Sequence, residues 1–288
     1  MSSSSTIIDN AVFCAQTVQG TAIRNLFELM KDVLVESNII ATPEGLRLLA
    51  NDNAQCVVTS VHLQAQAFEL YSCKQRTVLG INLANMYKLV KSASNNDVIT
   101  MWTMSNEDVL HIRIENTERS SNTYYKLKLF DINETILEPP SCQFEYIVSL
   151  PASEFQRMVR DMAMVASTVF IKNDDNTLTL SCYGDYAAQE TVLTANQNLI
   201  ISRARNASGA GKNETNKMDT GNSMIKEEYD EDANEYSLRY LNMFARGSSM
   251  SSNVQLYIKS GAPLILSFNA ATLGKVLFCL GPLAPIAP

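Results

Sequence analysis

The sequence predicts an α+β protein of two similar domains, each combining helices with antiparallel sheets. Three observations support this prediction. Four segments carry apolar residues at helical spacing, runs of alternating apolar and polar residues follow each of them, and the same order of elements occurs in both halves of the chain. A repeated order of this kind indicates an internal duplication of one structural unit.

Composition places the chain among globular proteins. It has 288 residues, of which 46% are hydrophobic and 18% charged, enough for two domains of roughly 140 residues. The beginning, "MSSSSTIIDN", has no secretory signal pattern, and the most apolar tract is interrupted by Asn269, Lys275 and prolines. We therefore expect a soluble intracellular protein without a membrane partner. The net charge of −7 argues against nucleic acid as a partner, but it does not show where the charges lie.

The first half contains two predicted helices. The first covers residues 20–33 and buries a stripe of Ile23, Leu26, Phe27 and Met30. The second, "NLANMYKLVKSA", buries Leu83, Met86 and Val90. The predicted strands are "GLRLLAND", "CVVTSVHLQAQAFELYSC", "TVLGINL", "DVITMWTM", "DVLHIRIEN" and "TYYKLKLFDI".

The second half repeats this order. Residues 148–165, "VSLPASEFQRMVRDMAMV", are predicted as an amphipathic helix with Ser153 as its N-cap, and its buried stripe is Phe155, Met158, Val159 and Met162. The fourth predicted helix is "YSLRYLNMFARGS". The strands of this half are "STVFIKND", "NTLTLSCYG", "QETVLTAN", "NVQLYIK", "APLILSFN" and "KVLFCLGP".

These elements divide the chain into regions. We predict a flexible N-terminal extension over residues 1–11, a first domain over 12–131, a connector over 132–146 and a second domain over 147–288. Within the second domain, residues 203–235 have little apolar content and are predicted to be a disordered acidic insertion.

Two short motifs lie in the insertion. Its "GAGKN" differs from a phosphate-binding loop, because the first Gly would be Asn206 and the last position is Asn213, so we reject a nucleotide site there. Ile225-Lys226-Glu227-Glu228 fits a hydrophobic-Lys-x-Glu modification motif, which makes Lys226 a candidate modification site.

No pattern in the sequence indicates catalysis. The six cysteines form no Cys-x-x-Cys pair, so we expect reduced, buried thiols and neither a disulfide framework nor a zinc site. His62 and His111 lie in alternating runs and are expected to be structural. Because no cluster of nucleophile, base and orienting group emerges, the sequence predicts no catalytic residue, no metal, no cofactor and no enzyme activity.

Each of the four helices carries two basic residues spaced so that both lie on one side, away from the apolar stripe. The pairs are Arg24 and Lys31, Lys88 and Lys91, Arg157 and Arg160, and Arg239 and Arg246. If the helices lie side by side, an acidic protein gains a basic stripe suited to the phosphate backbone of double-stranded DNA. Pairing within each helix with Glu28, Glu154 or Asp161 would weaken that positive field.

Several segments resemble, in order and spacing, the sliding clamp family of proliferating cell nuclear antigen. They are "VQGTAIRNLFELMKDV", "GLRLLANDNAQCVVTSVHLQAQAFELYSC", "LGINLANMYKLVKSASNNDVIT", "LPASEFQRMVRDM", "SLRYLNMFARGSSMSSNVQLYI" and "APLILSF". The resemblance covers nearly the whole chain outside the first ten residues and the acidic insertion.

The resemblance implies a ring around DNA. In the family, three chains close head to tail into a pseudo-sixfold ring, with helices inside and sheets outside, and a clamp loader acts with the ring. The ring tethers DNA polymerase and other replication and repair proteins to the duplex without catalytic chemistry. The eight basic residues match the DNA-facing positions, whereas Asn25 and Met164 fall where relatives place further basic residues. The implied location is the nucleus, or a viral replication site for a viral chain.

The resemblance also implies a pocket under the connector for a short partner peptide that carries a glutamine and aromatic residues. The matching residues are Asn51, Gln55, Cys56, Val58, Leu137, Pro139, Phe144, Pro263, Cys279, Leu280, Gly281 and Pro282. Asn51 and Cys279 replace a larger apolar and an aromatic residue, so a reshaped pocket is expected.

Ring closure in the family joins an edge strand from each domain. The matching stretches are residues 123–129 and 189–196, and the implied contacts are Tyr124, Tyr125, Leu127, Thr191, Val192 and Leu193. The lysine to which family members attach ubiquitin falls at Asp174 or Asp175 here, close to Lys172.

Two alternatives stay open. The chain could belong to a clamp-fold protein that forms no homotrimer, either a subunit of a heterotrimeric checkpoint-type ring or a monomeric or dimeric viral processivity factor. The enzyme alternative is a nucleotide-dependent DNA enzyme that uses the "GAGKN" loop.

Overall fold

The computed structural model describes residues 10–95, 97–105, 107–116, 118–133, 144–203 and 233–283. Within them, the helices are α1 (Gly20–Val33), α2 (Leu83–Val90), α3 (Ala152–Ala163) and α4 (Leu238–Phe244). The strands of the first half are β1 (Ala11–Thr17), β2 (Glu36–Thr42), β3 (Gly45–Asn51), β4 (Val57–Gln64), β5 (Leu70–Cys73), β6 (Thr77–Asn82), β7 (Asp97–Met104), β8 (Val109–Asn116) and β9 (Ser121–Lys128). Those of the second half are β10 (Tyr146–Pro151), β11 (Thr168–Asn173), β12 (Thr177–Tyr183), β13 (Ala188–Thr194), β14 (Ile200–Arg203), β15 (Asn234–Ser237), β16 (Asn253–Ile258), β17 (Leu264–Ala270) and β18 (Gly274–Leu280).

Each half contains two units with the order strand, helix, three strands. The units start at β1, β6, β10 and β15, and short β5 and β14 lie outside this repeat. The first strand of each unit pairs with the sheet of the other unit in its half: β1 with β7, β6 with β2, β10 with β16, and β15 with β11. The same exchange occurs in both halves, which agrees with the predicted duplication and confirms the α+β class.

The strands form three antiparallel sheets. Their orders are β5-β1-β7-β8-β9, β14-β10-β16-β17-β18-β4-β3-β2-β6 and β13-β12-β11-β15. The nine-stranded sheet joins the two halves through β18 and β4, which pair from Gly274↔Leu63 to Leu280↔Val57. At Gly274 the strands lie so close that a Cβ atom would be 2.0 Å from the carbonyl oxygen of His62. Glycine is therefore required at that position.

The helices bury the predicted apolar stripes. The buried residues of α1 include Ile23, Leu26, Phe27 and Met30, those of α2 are Leu83, Met86 and Val90, those of α3 include Phe155, Met158, Val159 and Met162, and those of α4 are Leu238, Leu241 and Phe244. Each such side chain contributes about 1.5–3 kcal/mol when fully buried. Among the described residues, no helix combines the length and apolar character needed to cross a membrane.

The predicted N-cap of the third helix, Ser153, is wrong by two residues, and the start of the stretch 148–165 is a strand. Residues 146–151 form β10, in which Val148 and Leu150 are buried while Ser149 is half-buried, and α3 begins at Ala152. Pro151 occupies the N-cap position, so the predicted N-cap Ser153 lies inside the first turn and no side chain caps this helix. Apolar and polar residues alternate from Val148 to Leu150, directly before the proline, and this short alternation is the strand signal.

The predicted region boundaries include residues that belong to strands. The extension, the connector and the insertion each lose outer residues to β1, β10, β14 or β15: Ala11, Tyr146, Arg203, Asn234 and Glu235. These five residues belong to strands because their backbones pair with neighbouring strands. The predicted disorder of the insertion, its "GAGKN" motif and Lys226 lie outside the described residues.

The cysteine prediction holds only in part. Cys14, Cys182 and Cys279 are buried, as expected, whereas Cys73 is half-buried and Cys56 is exposed. Cys56 is exposed because it lies in the turn between β3 and β4 and not within a strand. Cys142 lies outside the described residues.

His111 has a structural environment. Its ring stacks on Trp102 with centroids 5.1 Å apart, and its Nε2 lies 2.8 Å from a Glu107 carboxylate oxygen. The sequence alone showed no acidic partner for it. His62 is exposed on β4, opposite Arg47 and Lys275.

Candidate nucleic-acid interface and peptide site

The four helices form one continuous layer. Helix α2 packs on α1, α1 contacts α4 and the 3-10 helix Ala245–Ser249, and both of these pack on α3. We call this row the helix layer. It joins both halves of the chain, and all eight basic residues singled out in the sequence lie on it or directly at its helix ends.

Two of these residues lie outside the α-helices in which the sequence placed them. Lys91 is the C-cap of α2 and not part of the helix itself. Arg246 belongs to the 3-10 helix, so it does not share a seven-residue α-helical repeat with Arg239. The α-helix changes to a 3-10 helix close to Gly247, where a Cβ atom would lie 2.7 Å from the ring of Phe268. Close packing of the backbone against this ring accounts for the early end of α4.

The basic residues differ in accessibility. Lys88, Lys91, Arg157, Arg160, Arg239 and Arg246 are exposed, whereas Arg24 and Lys31 are half-buried. The Arg24 guanidinium donates from Nη1 to the carbonyl oxygen of Ala93 at 3.0 Å and from Nε and Nη2 to Asn25 Oδ1 at 3.3 Å. Arg24 thus ties α1 to the chain just after α2, which is a structural use of its charge.

The ion pairs that the sequence allowed within the helices are absent among the described residues. In the described part of the chain, no ion pair joins Arg157 or Arg160 to Glu154 or Asp161, or Arg24 to Glu28. The reason is geometric, since Arg24 turns toward Ala93 and the two α3 arginines extend into solvent. The acidic residue that does pair with this layer is Asp32, which contacts Lys31 and Arg246.

The predicted peptide site lies on the opposite side of the nine-stranded sheet. Register places five residues in one line across the strands, and we call them the outer row: Tyr257, Ile265, Cys279, Val58 and Asn51. Their strand neighbours, such as Val57 and Leu280, are buried in the core beneath the helices. Because side chains alternate between faces, the outer row points away from the helix layer.

Other predicted peptide-site residues extend this row. The Phe144 ring packs edge-on against Tyr257 with centroids 5.2 Å apart. Gly281 N–H donates to the carbonyl oxygen of Cys56 at 3.1 Å, and half-buried Pro282 and Pro263 lie beside the ends of β18 and β17. Leu280 differs from the expectation, because its side chain is 1% exposed and faces the core. Leu137 and Pro139 lie outside the described residues.

The turn that carries Gln55 and Cys56 is organised by a residue that the sequence did not single out. The Asp52 carboxylate accepts the backbone N–H groups of Cys56 and Val57, both at 2.8 Å, and that of Ala54 at 3.3 Å. Gln55 has φ 57°, in the left-handed region. The hydrogen bonds that several N–H groups donate to this charged carboxylate offset the strain of the Gln55 conformation.

Helix α4 completes this turn. The Tyr240 hydroxyl donates to Asp52 at 2.7 Å, across 188 residues of sequence. This hydrogen bond, followed by burial, raises the pKa of Tyr240 to about 12. The Tyr240 ring stacks on Phe244, which stacks on Phe278 of β18 at 4.4 Å. The peptide site and the helix layer are therefore connected by direct contacts. Only long-range contact information could have revealed Asp52 and Tyr240, because neither residue lies in a local motif.

The predicted subunit strands lie at sheet edges. Among the described strands, β9 pairs only with β8 and β13 only with β12. Tyr124 and Val192 are 62% and 53% exposed on these strands, and Tyr125, Thr191 and Leu193 are half-buried. Leu127 is 8% exposed and belongs to the core, so its side chain does not point toward a neighbouring chain.

Comparison with known proteins gives the family. The family model described as proliferating cell nuclear antigen, N-terminal domain, matches residues 12–136, and the C-terminal domain model matches residues 138–208 and 202–283. The chain is 31% identical over 281 residues to a probable DNA polymerase sliding clamp 1 of Paramecium bursaria Chlorella virus 1, covering 96% of this chain and 98% of that protein. A crystal structure of proliferating cellular nuclear antigen from Entamoeba histolytica superposes with a TM-score of 0.80 at 21% identity, over 95% of this chain and 100% of the other. The chain therefore belongs to the proliferating cell nuclear antigen family of sliding clamps.

Proposed function

We propose that three copies of this chain close into a ring around duplex DNA and tether a DNA polymerase and other replication and repair proteins to it. The observation that carries the proposal is the helix layer, which gathers the basic residues of an acidic chain on one side of the sheets. Encirclement converts weak, sequence-independent attraction to phosphates into durable attachment and still permits sliding.

The DNA-facing residues of this proposal are the eight basic side chains of the helix layer. Arg157, Arg160, Arg239 and Lys91 are its most available cations, since they are exposed and their side chains make no hydrogen bond or ion pair with another described residue. Lys88 contributes as well, with only a 3.4 Å contact to Asn85. Exposed cations suit a surface that must release one DNA phosphate and bind the next as the ring slides along the duplex.

Ring closure in this proposal pairs the open edge of β9 with that of β13 on the next chain. Both edges present backbone groups that another strand can satisfy. The exposed side chains of Tyr124 and Val192 would be covered by the same contact.

The partner site in this proposal is the outer row with Gln55, Cys56, Phe144, Pro263, Gly281 and Pro282. An apolar surface beside backbone carbonyls accepts a peptide with hydrophobic side chains. Asn51 and Cys279 make this surface smaller and more polar than a pocket with larger apolar residues. The expected partners are a DNA polymerase and other proteins with a clamp-binding peptide, together with a clamp loader, in a nucleus or a viral replication site. No enzyme activity is expected of the chain itself.

Mass in solution tests the oligomeric state. A homotrimer requires a mass close to three times the 31.9 kDa of one chain, at concentrations down to the micromolar range. A monomer at high concentration would refute the homotrimer, and a mass that reaches three chains only with other subunits would favour a heterotrimeric ring.

Retention on DNA tests encirclement. After loading with a clamp loader, the protein should remain on a nicked circular duplex through a high-salt wash and leave when the DNA is linearised. Equal retention on both forms would contradict a sliding ring.

A deletion tests the enzyme alternative. Removing residues 206–232 takes out the "GAGKN" motif, and loading and retention should be largely unchanged. Complete loss of both, with an intact fold by circular dichroism, would revive a nucleotide-dependent mechanism.

A further inference from the structure

Asp32 is an acidic residue among the basic residues of the helix layer. It lies in the last turn of α1, next to Lys31, where the helix dipole disfavours a negative charge. The local sequence preference would favour a basic or neutral side chain there. Its presence indicates that contacts made elsewhere in the fold compensate the charge.

Both oxygens of the Asp32 carboxylate bind cations of the layer. Oδ1 lies 2.7 Å from Lys31 Nζ, and Oδ2 accepts a hydrogen bond from Arg246 Nη1 of the 3-10 helix. Lys31 Nζ also lies 5.1 Å from the centroid of the Tyr87 ring on α2. One carboxylate thus holds cations from both halves of the chain.

The accessibility of these groups suits exchange. The side chains of Asp32 and Lys31 are 18% and 24% exposed, whereas that of Arg246 is 57% exposed. Ion pairs open to water are weak, so a second anion can compete for the same guanidinium. A phosphate group presents oxygens to arginine in the same bidentate manner as a carboxylate does.

We propose that Asp32 is an internal counter-anion that pairs with Arg246 and Lys31, and that DNA phosphates compete with it for these two cations. This inference rests on the proposed function. It divides the basic residues into two classes. Lys88, Lys91, Arg157, Arg160 and Arg239 are available at all times, whereas Arg246 and Lys31 must first leave Asp32; Arg24, which binds the Ala93 carbonyl, belongs to neither class. The exchange limits the strength of DNA attraction and so favours sliding over tight binding.

The test measures affinity for DNA as a function of salt. Fluorescence anisotropy of a labelled blunt-ended duplex of arbitrary sequence, titrated with the full-length protein at several salt concentrations, gives the slope of log K against log salt. The variant Asp32→Asn keeps the size of the side chain and removes its charge. In the wild type the carboxylate and the phosphates share these cations, so Asp32→Asn should add up to about one phosphate contact, which steepens the slope by about 0.9 and raises affinity up to about eightfold at 0.1 M salt.

Matched variants separate pairing from net charge. Asp161→Asn makes the same charge change on α3, at a half-buried carboxylate that makes no ion pair with another described residue. It should raise affinity less and leave the slope nearly unchanged. Asp32→Glu should restore the wild-type slope, and in an Arg246→Ala background the Asp32→Asn substitution should lose most of its effect.

The outcomes distinguish the inference from the proposed function. Equal effects of Asp32→Asn and Asp161→Asn would refute the role of Asp32 while leaving the clamp intact. A change in melting temperature without a change in the salt slope would also overturn it, since Asp32 would then only join the two halves. A wild-type protein that shows no salt-dependent binding and no loading would refute the proposed function itself.

Discussion

Replacing Tyr240 by phenylalanine tests whether helix α4 supports the turn of the peptide site. The substitution removes one hydroxyl and keeps the ring, which stacks on Phe244. It therefore leaves no cavity, and its effect reports the interactions of the hydroxyl, chiefly the hydrogen bond to Asp52.

The magnitude follows from the contacts of the carboxylate. A hydrogen bond to a charged group contributes about 1.5–3 kcal/mol. After the substitution, Asp52 still accepts three backbone N–H groups, so the lower end applies, about 1.5 kcal/mol. For a protein of this size, that loss lowers the melting temperature by roughly 3–6 °C. Because the turn carries Gln55 and Cys56, the affinity for a partner peptide should fall as well.

The effect depends on pH in a defined direction. The hydrogen bond from Tyr240 to Asp52 raises the pKa of the tyrosine from 10.0 to about 12. A group whose pKa is raised on folding stabilises the folded protein below its unfolded pKa and loses this contribution as pH rises through the folded pKa. The stability difference between wild type and Tyr240→Phe should therefore be constant up to pH 10 and disappear between pH 10 and pH 12.

The assay compares melting temperatures at one fixed protein concentration, because subunit association also shifts them. Tyr257→Phe is the control, since this half-buried hydroxyl donates to the neutral Gln255 side chain at 3.2 Å and should contribute only about 0.5–1 kcal/mol. An unchanged melting temperature for Tyr240→Phe at pH 8, or a difference that persists at pH 12, would refute the reasoning.

Three further substitutions test other parts of the molecule. Arg157→Ala with Arg160→Ala should weaken DNA binding and flatten its salt slope by about 1.8 without lowering the melting temperature, and an unchanged slope would show that these arginines do not meet phosphates. Val192→Lys places a charge on the open edge of β13 and should reduce the mass in solution from three chains to one while circular dichroism stays the same; a persistent trimer would move the interface elsewhere. Gly80→Ala would bring a Cβ atom within 2.1 Å of the Phe130 carbonyl oxygen and should cost about 2 kcal/mol in urea unfolding, whereas a neutral effect would mean that the segment after β9 yields freely.

The helices were predictable because their packing surface follows a local period. Ile23, Leu26, Phe27 and Met30 recur at helical spacing, and each is buried where the pattern places it. Strand β1 was not predicted, since its sequence "AVFCAQT" is buried on both faces over much of its length and lacks the alternation of a half-exposed strand. The N-cap of α3 was misplaced by two residues because Ser153 is a favoured N-cap residue, whereas the structure uses Pro151.

The roles of the charged residues were less predictable. The sequence identified which cations lie on helices, but it could not show that Arg24 would bind the carbonyl group of Ala93, which is 69 residues away. The contact of Asp32 with Arg246 spans 214 residues and depends on packing between α1 and the 3-10 helix. Spacing along a helix determines which side chains share a face, whereas the fold determines which of them remain available to a ligand.

The sheet register explains how one strand pair can serve two surfaces. In β18 and β4, the paired Leu280 and Val57 face the helices, while the adjacent pair, Cys279 and Val58, faces the peptide side. Because neighbouring residues alternate between faces, a shift of either strand by one residue would exchange apolar core side chains with the outer row. The seven paired positions that join the two halves therefore fix the helix layer and the outer row together, so that, in the proposed function, a partner on one side would be held at a defined position relative to the basic residues on the other.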